Sequence, residues 1–556
     1  MPAKSPRKPA AVVPPSSEVP WWSVAALCAI TLAAYANSFD SGFVLDNRTL
    51  VLADARVHQV TLENLGHIFT QSYWGAAAAA GLYRPLTTLT YLLNYAVLGN
   101  TDHPAGYHWI NLVLHAGNVL LLFAVARRLL GRMRPALLAA ALWAVHPVLT
   151  ESVTNIVGRA DLLAGMTTLG GLLIYLKAAD ARGRPRAWLF VALGAVMAAG
   201  VFSKESAVAL AGAIVLYELT WWKRERLATL AWGCVAMTPA ILVMLLTRLR
   251  VLEPEGPAHF PMVDNPIVAA GFLEGRLTAV TVMAKYLGLL VWPANLSFDY
   301  SYAQIPLADV HRVSDLIAWA LAAAAAIAVL WLYRRNKVAF FAAGFAFLTI
   351  LPASNLVIPI GTIMAERFLY LPAAGFSICL TLALYRAAQR LRMKTGAALV
   401  AGLLIVTAFA ARTWTRNADW KDDITVGAAA VRAAPLSFKT HMWAGAAAAL
   451  QQPGAAGVAD ALAEMEEGIA IVNQVPDGEN DAAVFFRTGV VNLIAGQMLA
   501  RGDPAQSRAR YVEARAMLDR AKNILRLQDE DNAAKTPWLA NLNQALVQTN
   551  LQLSKP

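Results

Sequence analysis

Residues 135–177 read PALLAAALWAVHPVLTESVTNIVGRADLLAGMTTLGGLLIYLK, and the order of apolar and polar blocks in this stretch decides the fold. Two apolar runs, near 135–151 and 160–177, are each long enough to cross a bilayer core of about 30 Å. The polar turn at their junction carries His146, Glu151, Arg159 and Asp161. Arg127, Arg128, Arg132 and Arg134 precede the pair, and Lys177, Arg182, Arg184 and Arg186 follow it. Short cytoplasmic loops concentrate Lys and Arg. Both basic clusters therefore belong on one side of a membrane and the polar turn on the other.

The same alternation extends in both directions. Spans are expected near 21–38, 110–127, 135–151, 160–177, 187–203, 207–222, 228–247, 314–333, 338–353, 367–386 and 396–413. The chain of 556 residues is 58% hydrophobic and 15% charged, with mean hydropathy +0.48, a charged share too small for an ordinary soluble protein of this length. Its net charge of +11 does not point to nucleic acid, because the basic residues sit in short clusters between apolar blocks. Lys223/Arg224/Arg226, Arg334/Arg335/Lys337, Arg386/Arg390/Arg392/Lys394 and the N-terminal Lys4, Arg7 and Lys8 complete the set. If all are cytoplasmic, the N-terminus is inside and the C-terminal tail outside. Residues 277–292 would reverse that order as a further span, so a re-entrant or outer-interface position is expected, with Lys285 reaching polar surroundings. Cys28, Cys234 and Cys379 lie inside apolar blocks and have neither metal-ligand nor disulfide spacing.

This gives an all-α polytopic membrane protein in three parts. They are a cytoplasmic segment 1–20, a membrane domain 21–414 with outer loops 39–109 and 248–313, and an outer helical domain 415–556. The last part contains SFKTHMWAGAAAALQQ, VADALAEMEEGIAIVN, AAVFFRTGVVNLIAGQML and ARYVEARAMLDRAKNIL, with breaks at QPG, PDG and GDP. Small residues at helix contacts suit degenerate tetratricopeptide-like repeats; a plain helical bundle is the other reading. The tail carries no evident membrane-length apolar run.

Ionisable residues near membrane depth are costly and mark function when they gather at one level. Asp46 follows the first span in SGFVLDNRTLVL, Lys204 and Glu205 join two spans in SKES, and Glu366 and Arg367 open another in AERFLYLP. With His146, Glu151, Arg159 and Asp161, these distant segments converge on the outer face. Blander readings stand beside this one. Arg159–Asp161 and Glu366–Arg367 would serve equally as structural pairs, His115 as a packing residue and Asp46 as a helix cap. His103, His108, His146 and Glu151 have metal-binding chemistry without recognisable ligand spacing.

At these residues the chain resembles the transmembrane-and-tetratricopeptide-repeat O-mannosyltransferases, relatives of protein O-mannosyltransferases with the type C glycosyltransferase fold. The matching passages are FVLDN (43–47), YRPLT (83–87), GYHWINLVLH (106–115), HPVLTESVTNIVGRADLLA (146–164) and SKES (203–206). They continue with DNP (264–266), VWPANLSFDYSY (291–302) and LPASNLVIPIGTIMAERFLYLPAAGF (351–376). The resemblance begins within the first span, which favours an uncleaved span over a signal peptide cut at Ala34-Tyr35-Ala36. One departure concerns the first loop, where the family usually has two adjacent acids and this chain has Asp46-Asn47.

The resemblance implies mannose on a polyprenyl phosphate as donor and a Ser or Thr hydroxyl as acceptor. Asp46 would take the hydroxyl proton and a single displacement would invert the anomeric centre, unlike the two-carboxylate retaining route. Arg367, then Lys204 and Arg276, would stabilise the departing phosphate. Asn47, Arg84, His108, Glu205, Asp299 and Glu366 would shape the pocket. His146, Glu151, Arg159 and Asp161 would hold its walls, with Glu151 also suited to sugar hydroxyls. No metal is required by this scheme. The expected setting is a bacterial inner membrane with a periplasmic tail that holds an acceptor polypeptide. Transfer to a lipid or envelope glycan, a transporter and a non-catalytic assembly factor are the alternatives.

Overall fold

Every regular element of the described residues is helical, which is how a chain in lipid satisfies its backbone polar groups without water. The computed structural model describes residues 19–75, 81–255, 260–452, 454–528, 536 and 538–555; the expected N-terminal basic trio lies outside them. The membrane domain begins with α1 (Trp21–Tyr35), the loop helices α2 (Leu62–Thr70) and α3 (Pro85–Leu92), α4 (Ala105–Leu130) and α5 (Met133–Ala144). Then follow α6 (Thr150–Val153), α7 (Arg159–Asp180), α8 (Gly183–Val201), α9 (Ala209–Thr220), α10 (Leu227–Leu252) and α11 (Phe272–Val291). The domain closes with α12 (Val313–Arg335), α13 (Lys337–Ile350), α14 (Pro372–Arg390) and α15 (Thr395–Asp419).

Among the described residues eight helices are long and apolar enough to cross a membrane, or nine if Met133–Ala144 and Pro147–Val153, bent by 51°, form one span. Two expectations change. Ala482–Leu499 in the tail meets the same measure, although the sequence suggests no such run there; its apolar side chains Val484, Phe485 and Leu493 are buried in the tail's own core. The span expected from 367 begins instead at Pro372, leaving Glu366 and Arg367 on a 3₁₀ turn, Glu366–Leu369. Residues 277–292 fall mostly within the unbroken α11.

Charge separates the two ends of the bundle. At one end, Arg226 after α9 lies 3.9 Å from Asp180, the last residue of α7, and 3.6 Å from Glu218, while Arg128 of α4 also pairs with Asp180. Between the ends, buried polar groups tie helices together. His115 meets the Tyr370 hydroxyl at 2.9 Å and the Ala144 carbonyl at 3.1 Å, and Asn118 donates to the same hydroxyl at 3.0 Å. His115 is thus a packing residue.

The opposite end holds the outer loops and the tail, which comprises α16 (Asp423–Ala433), α17 (Phe438–Gln451), α18 (Ala455–Val472), α19 (Ala482–Leu499), α20 (Pro504–Leu527) and α21 (Leu539–Leu553). Small residues let these helices approach closely: a Cβ on Gly496 would lie 2.6 Å from Tyr511 Cε1, and one on Gly445 would lie 3.0 Å from the Ala461 carbonyl. The tail is seated on the second outer loop. Phe438 donates its N–H to the Tyr302 carbonyl at 3.0 Å, and Ala303 donates to Leu436 at 2.6 Å. Val263 is buried among the tail's apolar side chains.

Candidate active site

The site starts from the turn after α1. Gly42 donates its N–H to the Lys421 carbonyl at 2.8 Å, and Val44 is buried against Trp420 and Val426. Leu45 takes a φ of 50°, in the left-handed region that a branched side chain rarely enters. Its N–H donates to Asp423 Oδ1 at 2.8 Å. Asn47 is buried, and its Oδ1 accepts the Val157 N–H at 3.0 Å, so this departure from the two-acid pattern serves as a wall contact. Asp46 projects between these pins. Its carboxylate is exposed and makes no hydrogen bond or ion pair among the described residues.

Asp46 is exposed, yet it sits where the membrane domain and the tail meet. The protein packed around it pushes its carboxyl above the ordinary aspartate range, against the pull of Arg367, Lys439 and Arg487. Arg367 belongs to the membrane domain, and Lys439 and Arg487 belong to the tail. Glu151 fixes Arg367 with both oxygens: Oε2 accepts the Arg367 backbone N–H at 2.8 Å and Oε1 accepts Nη1 at 2.6 Å. Such a charge-assisted clamp holds a cation in place without burying it unpaired. Arg367 keeps 35% of its side chain exposed while Glu151 has 2%. Both Glu151 oxygens are thus engaged by Arg367.

The adjoining wall is a second set of ion pairs. Lys204 donates to Asp161, and Arg84 donates through Nε to Glu205 Oε2 at 3.1 Å while lying 5.3 Å from the Tyr73 ring centre. Lys204 and Asp161 are both almost fully buried. Burial disfavours the Lys204 cation and lowers its pKa, with Asp161 acting in the opposite sense. Lys204 is thereby a wall residue with a committed partner, less available to a phosphate than Arg367.

Several expected residues lie elsewhere. Arg159 does not pair with Asp161. It is fully buried and donates to Asn111 Oδ1 at 2.8 Å, Asn94 Oδ1 at 2.6 Å, and the Thr90 and Tyr107 carbonyls at 3.1 Å each. Glu366 does not pair with Arg367. It accepts the Ser297 N–H at 2.6 Å and the Tyr300 hydroxyl at 2.7 Å, with Arg416 at 3.8 Å, and burial raises its carboxyl to about 8. His146 is enclosed, its Nε2 at 3.0 Å from the Leu290 carbonyl and its Nδ1 accepting the Val148 N–H. Arg276 donates to the Asn355 and Val357 carbonyls, bracing the loop that leads to Arg367. Asp299 accepts the Ser437 hydroxyl at 2.6 Å, and so holds the tail. His108 meets the Ser41 carbonyl at 3.0 Å, fixing the stem of the Asp46 turn.

The four candidate metal ligands do not converge. His108, His146 and Glu151 are spent as described, and His103 stands exposed at 3.9 Å from Asp102. No group of three or more His, Cys, Asp or Glu side chains suited to a metal occurs among the described residues.

The tail contributes residues that sequence reasoning passed over. Lys439 pairs with Asp264 at 2.8 Å, and the carboxylates of Asp264, Asp299 and Asp481 raise its pKa against its burial. Arg487 stacks over Trp443, 4.4 Å from the ring centre, without a hydrogen bond or ion pair among the described residues. A Lys and an Arg on soluble-looking helices carry no local signal of a site; only docking brings them to Asp46.

The fold and these ion pairs define a polytopic α-helical membrane protein with a cluster of charged residues at one end of its bundle. Residues 85–249 match the family model of dolichyl-phosphate-mannose-protein mannosyltransferases. Residues 254–329 match the model described as protein O-mannosyl-transferase TMTC, DUF1736. Over these two stretches the chain is similar to the transmembrane-and-tetratricopeptide-repeat protein O-mannosyltransferases. It is 29% identical to protein O-mannosyl-transferase TMTC4 of Homo sapiens over 77% of its own length and 64% of the relative's. It is also 29% identical to Tmtc3 of Drosophila melanogaster, over 72% of this chain and 50% of that one. The chain therefore spans less than two thirds of the length of these curated relatives. Among solved structures it is similar to the archaeal oligosaccharyltransferase AglB from Archaeoglobus fulgidus in complex with an inhibitory peptide and a dolichol-phosphate. That similarity has 13% identity and a TM-score of 0.42, and covers 79% of this chain and 59% of that one.

Proposed function

We propose that the chain is an inverting glycosyltransferase that moves mannose from a polyprenyl phosphate to a Ser or Thr hydroxyl at the outer face of a membrane. The observation that carries this reading is an uncommitted carboxylate, Asp46, within electrostatic reach of a clamped guanidinium, Arg367, at the loop-rich end of the bundle. The lipid chain keeps its phosphate at headgroup level, next to Arg367 at the entry to α14. The acceptor then approaches from the tail side.

In the displacement, the hydroxyl oxygen attacks the anomeric carbon, its proton passes to Asp46, and the bond to the lipid phosphate oxygen breaks. The phosphate gains negative charge as it leaves, and a fixed cation stabilises charge that develops in the transition state. Because attack and departure occur on opposite faces of the sugar carbon, the product configuration is inverted. The raised pKa of Asp46 makes it a stronger base than an ordinary aspartate. We assign acceptor capture to the tail, as a tetratricopeptide-like module facing the periplasm of a bacterial inner membrane.

The test is incubation of purified protein with defined polyprenyl-phosphate sugars and extracted envelope proteins, with mass spectrometry of the products. Hexose on Ser or Thr, dependent on the mannosyl donor, is expected. Modification confined to lipids or envelope glycans would contradict the protein acceptor.

A further inference from the structure

We propose that Asp423, the first residue of tail helix α16, is a positioning residue for Asp46, so that docking of the tail sets the geometry of the base. The inference rests on the reading of Asp46 as the proton acceptor.

The turn that presents Asp46 is held at three points, and two of them come from the start of the tail. Gly42 donates its N–H to the Lys421 carbonyl at 2.8 Å. Leu45, immediately before Asp46, donates its N–H to Asp423 Oδ1 at 2.8 Å. On the far side, Asn47 accepts from Val157 of the membrane domain. The Leu45 φ of 50° is a conformation that persists only where neighbouring contacts over-determine it, and Asp423 supplies one such contact directly. Its other oxygen, Oδ2, accepts Arg48 Nε and Nη2, each at 3.0 Å, and Gln451 Nε2 at 2.9 Å. One carboxylate thus joins both flanks of Asp46 to helices α16 and α17.

Asp423 is not there to start its helix. Asp422 caps α16, accepting the Thr425 N–H while the Thr425 hydroxyl closes the reciprocal bond. Asp423 is also only 12% exposed on its side chain, so it is not a solvated surface acid. Its carboxylate is spent wholly on the Asp46 turn and on Gln451.

Loss of this anchor would let the Leu45 peptide rotate and swing Asp46 away from the acceptor hydroxyl, while Arg367 and its Glu151 clamp stay in place. The experiment compares full-length Asp423→Ala, Asp423→Asn and Arg48→Gln. It uses polyprenyl-phosphate-mannose and a synthetic Ser/Thr-rich peptide, and follows exchange of the Leu45 amide by hydrogen–deuterium mass spectrometry. The expected result for Asp423→Ala is a fall in kcat of about tenfold to a hundredfold, the scale of a misplaced reacting group. Its donor KM should stay within about twofold, as for loss of an interaction made only in the transition state. Exchange at Leu45 should be faster. Asp423→Asn retains an acceptor oxygen for the Leu45 N–H and should recover most of the rate; Arg48→Gln, which keeps that bond, should stay close to wild type. Wild-type kcat in Asp423→Ala, or Asp423→Asn no better than Ala, would overturn the proposal. Absence of transfer by the wild-type protein would instead refute the reaction assigned above, and the Leu45 exchange would still decide whether Asp423 holds the turn.

Discussion

Asp46 and Glu366 are carboxylates at the loop-rich end of the bundle, and their surroundings differ sharply. Asp46 is exposed, with no hydrogen-bond partner among the described residues and three cations at a distance. Glu366 is wholly buried and bonded to Ser297 and Tyr300. Activity needs ionised Asp46, so the rate should rise with pH along a limb above the ordinary aspartate range. Lys439→Met, which removes one of the cations that lower that carboxyl's pKa, should move the limb further up; an unmoved limb in the pH–rate profile would separate Lys439 from the base. Glu366 acts on stability. Its folded value of about 8 lies above the unfolded value near 4.5, so the folded state binds the extra proton between them. The stabilisation is present below the lower value and is lost as pH rises through the upper one. Thermal melting in detergent should therefore decline from about pH 4.5 to 8, and Glu366→Gln should flatten that decline. The residues alone do not separate the two roles, because DNRT and AERF look alike in sequence. Burial and the identity of the partner decide them, and Glu366 finds Ser297 and Tyr300 across 69 and 66 residues.

Among the elements, α7 shows what local pattern does reveal. Its apolar run after Asp161 and the terminal Lys177 are plain in the sequence, and the helix spans Arg159–Asp180. The expected span at 367–386 was displaced for an equally physical reason: AERFL enters as a tight turn, and Pro372 at the first turn suits the start of a helix, not its interior. Partners across elements were hidden, since Glu151 clamps a residue 216 positions away. Arg159 at the start of α7 is the strongest of these long-range ties, joining the first outer loop to α4. Arg159→Ala would leave Asn94 and Asn111 with buried, unmatched acceptors. The loss should be on the order of 3–5 kcal/mol, the range for breaking a buried charged network, read as a lower melting temperature or failure to accumulate in the membrane. A variant as stable as wild type would show that this junction does not hold the loop. The left-handed Leu45 adds a smaller cost of about 1–2 kcal/mol, which the contacts to the tail offset.

At the scale of the molecule, the basic helix ends and the mixed-charge cluster occupy opposite ends of one bundle, with the tail seated on the loops beside that cluster. The hydropathy pattern disclosed the bundle and its asymmetry. It left the tail as an appendage, because Lys439, Arg487 and Asp423 acquire meaning only when α16, α17 and α19 meet the outer loops. In a chain with Cys28, Cys234 and Cys379 replaced by Ala, single Asp102→Cys and Arg335→Cys variants should respond differently to a membrane-impermeant maleimide in intact cells. Labelling at position 102 and protection at 335 is the expected pattern, and equal labelling would reverse the orientation. The most direct measurement is mannose transfer from polyprenyl-phosphate-mannose by wild-type and Asp46→Asn protein, both verified as folded and membrane-inserted. The account predicts a fall of about a hundredfold to ten-thousandfold in kcat for the variant, the usual contribution of a general base, with the donor still bound. Transfer by Asp46→Asn at the wild-type rate would contradict it.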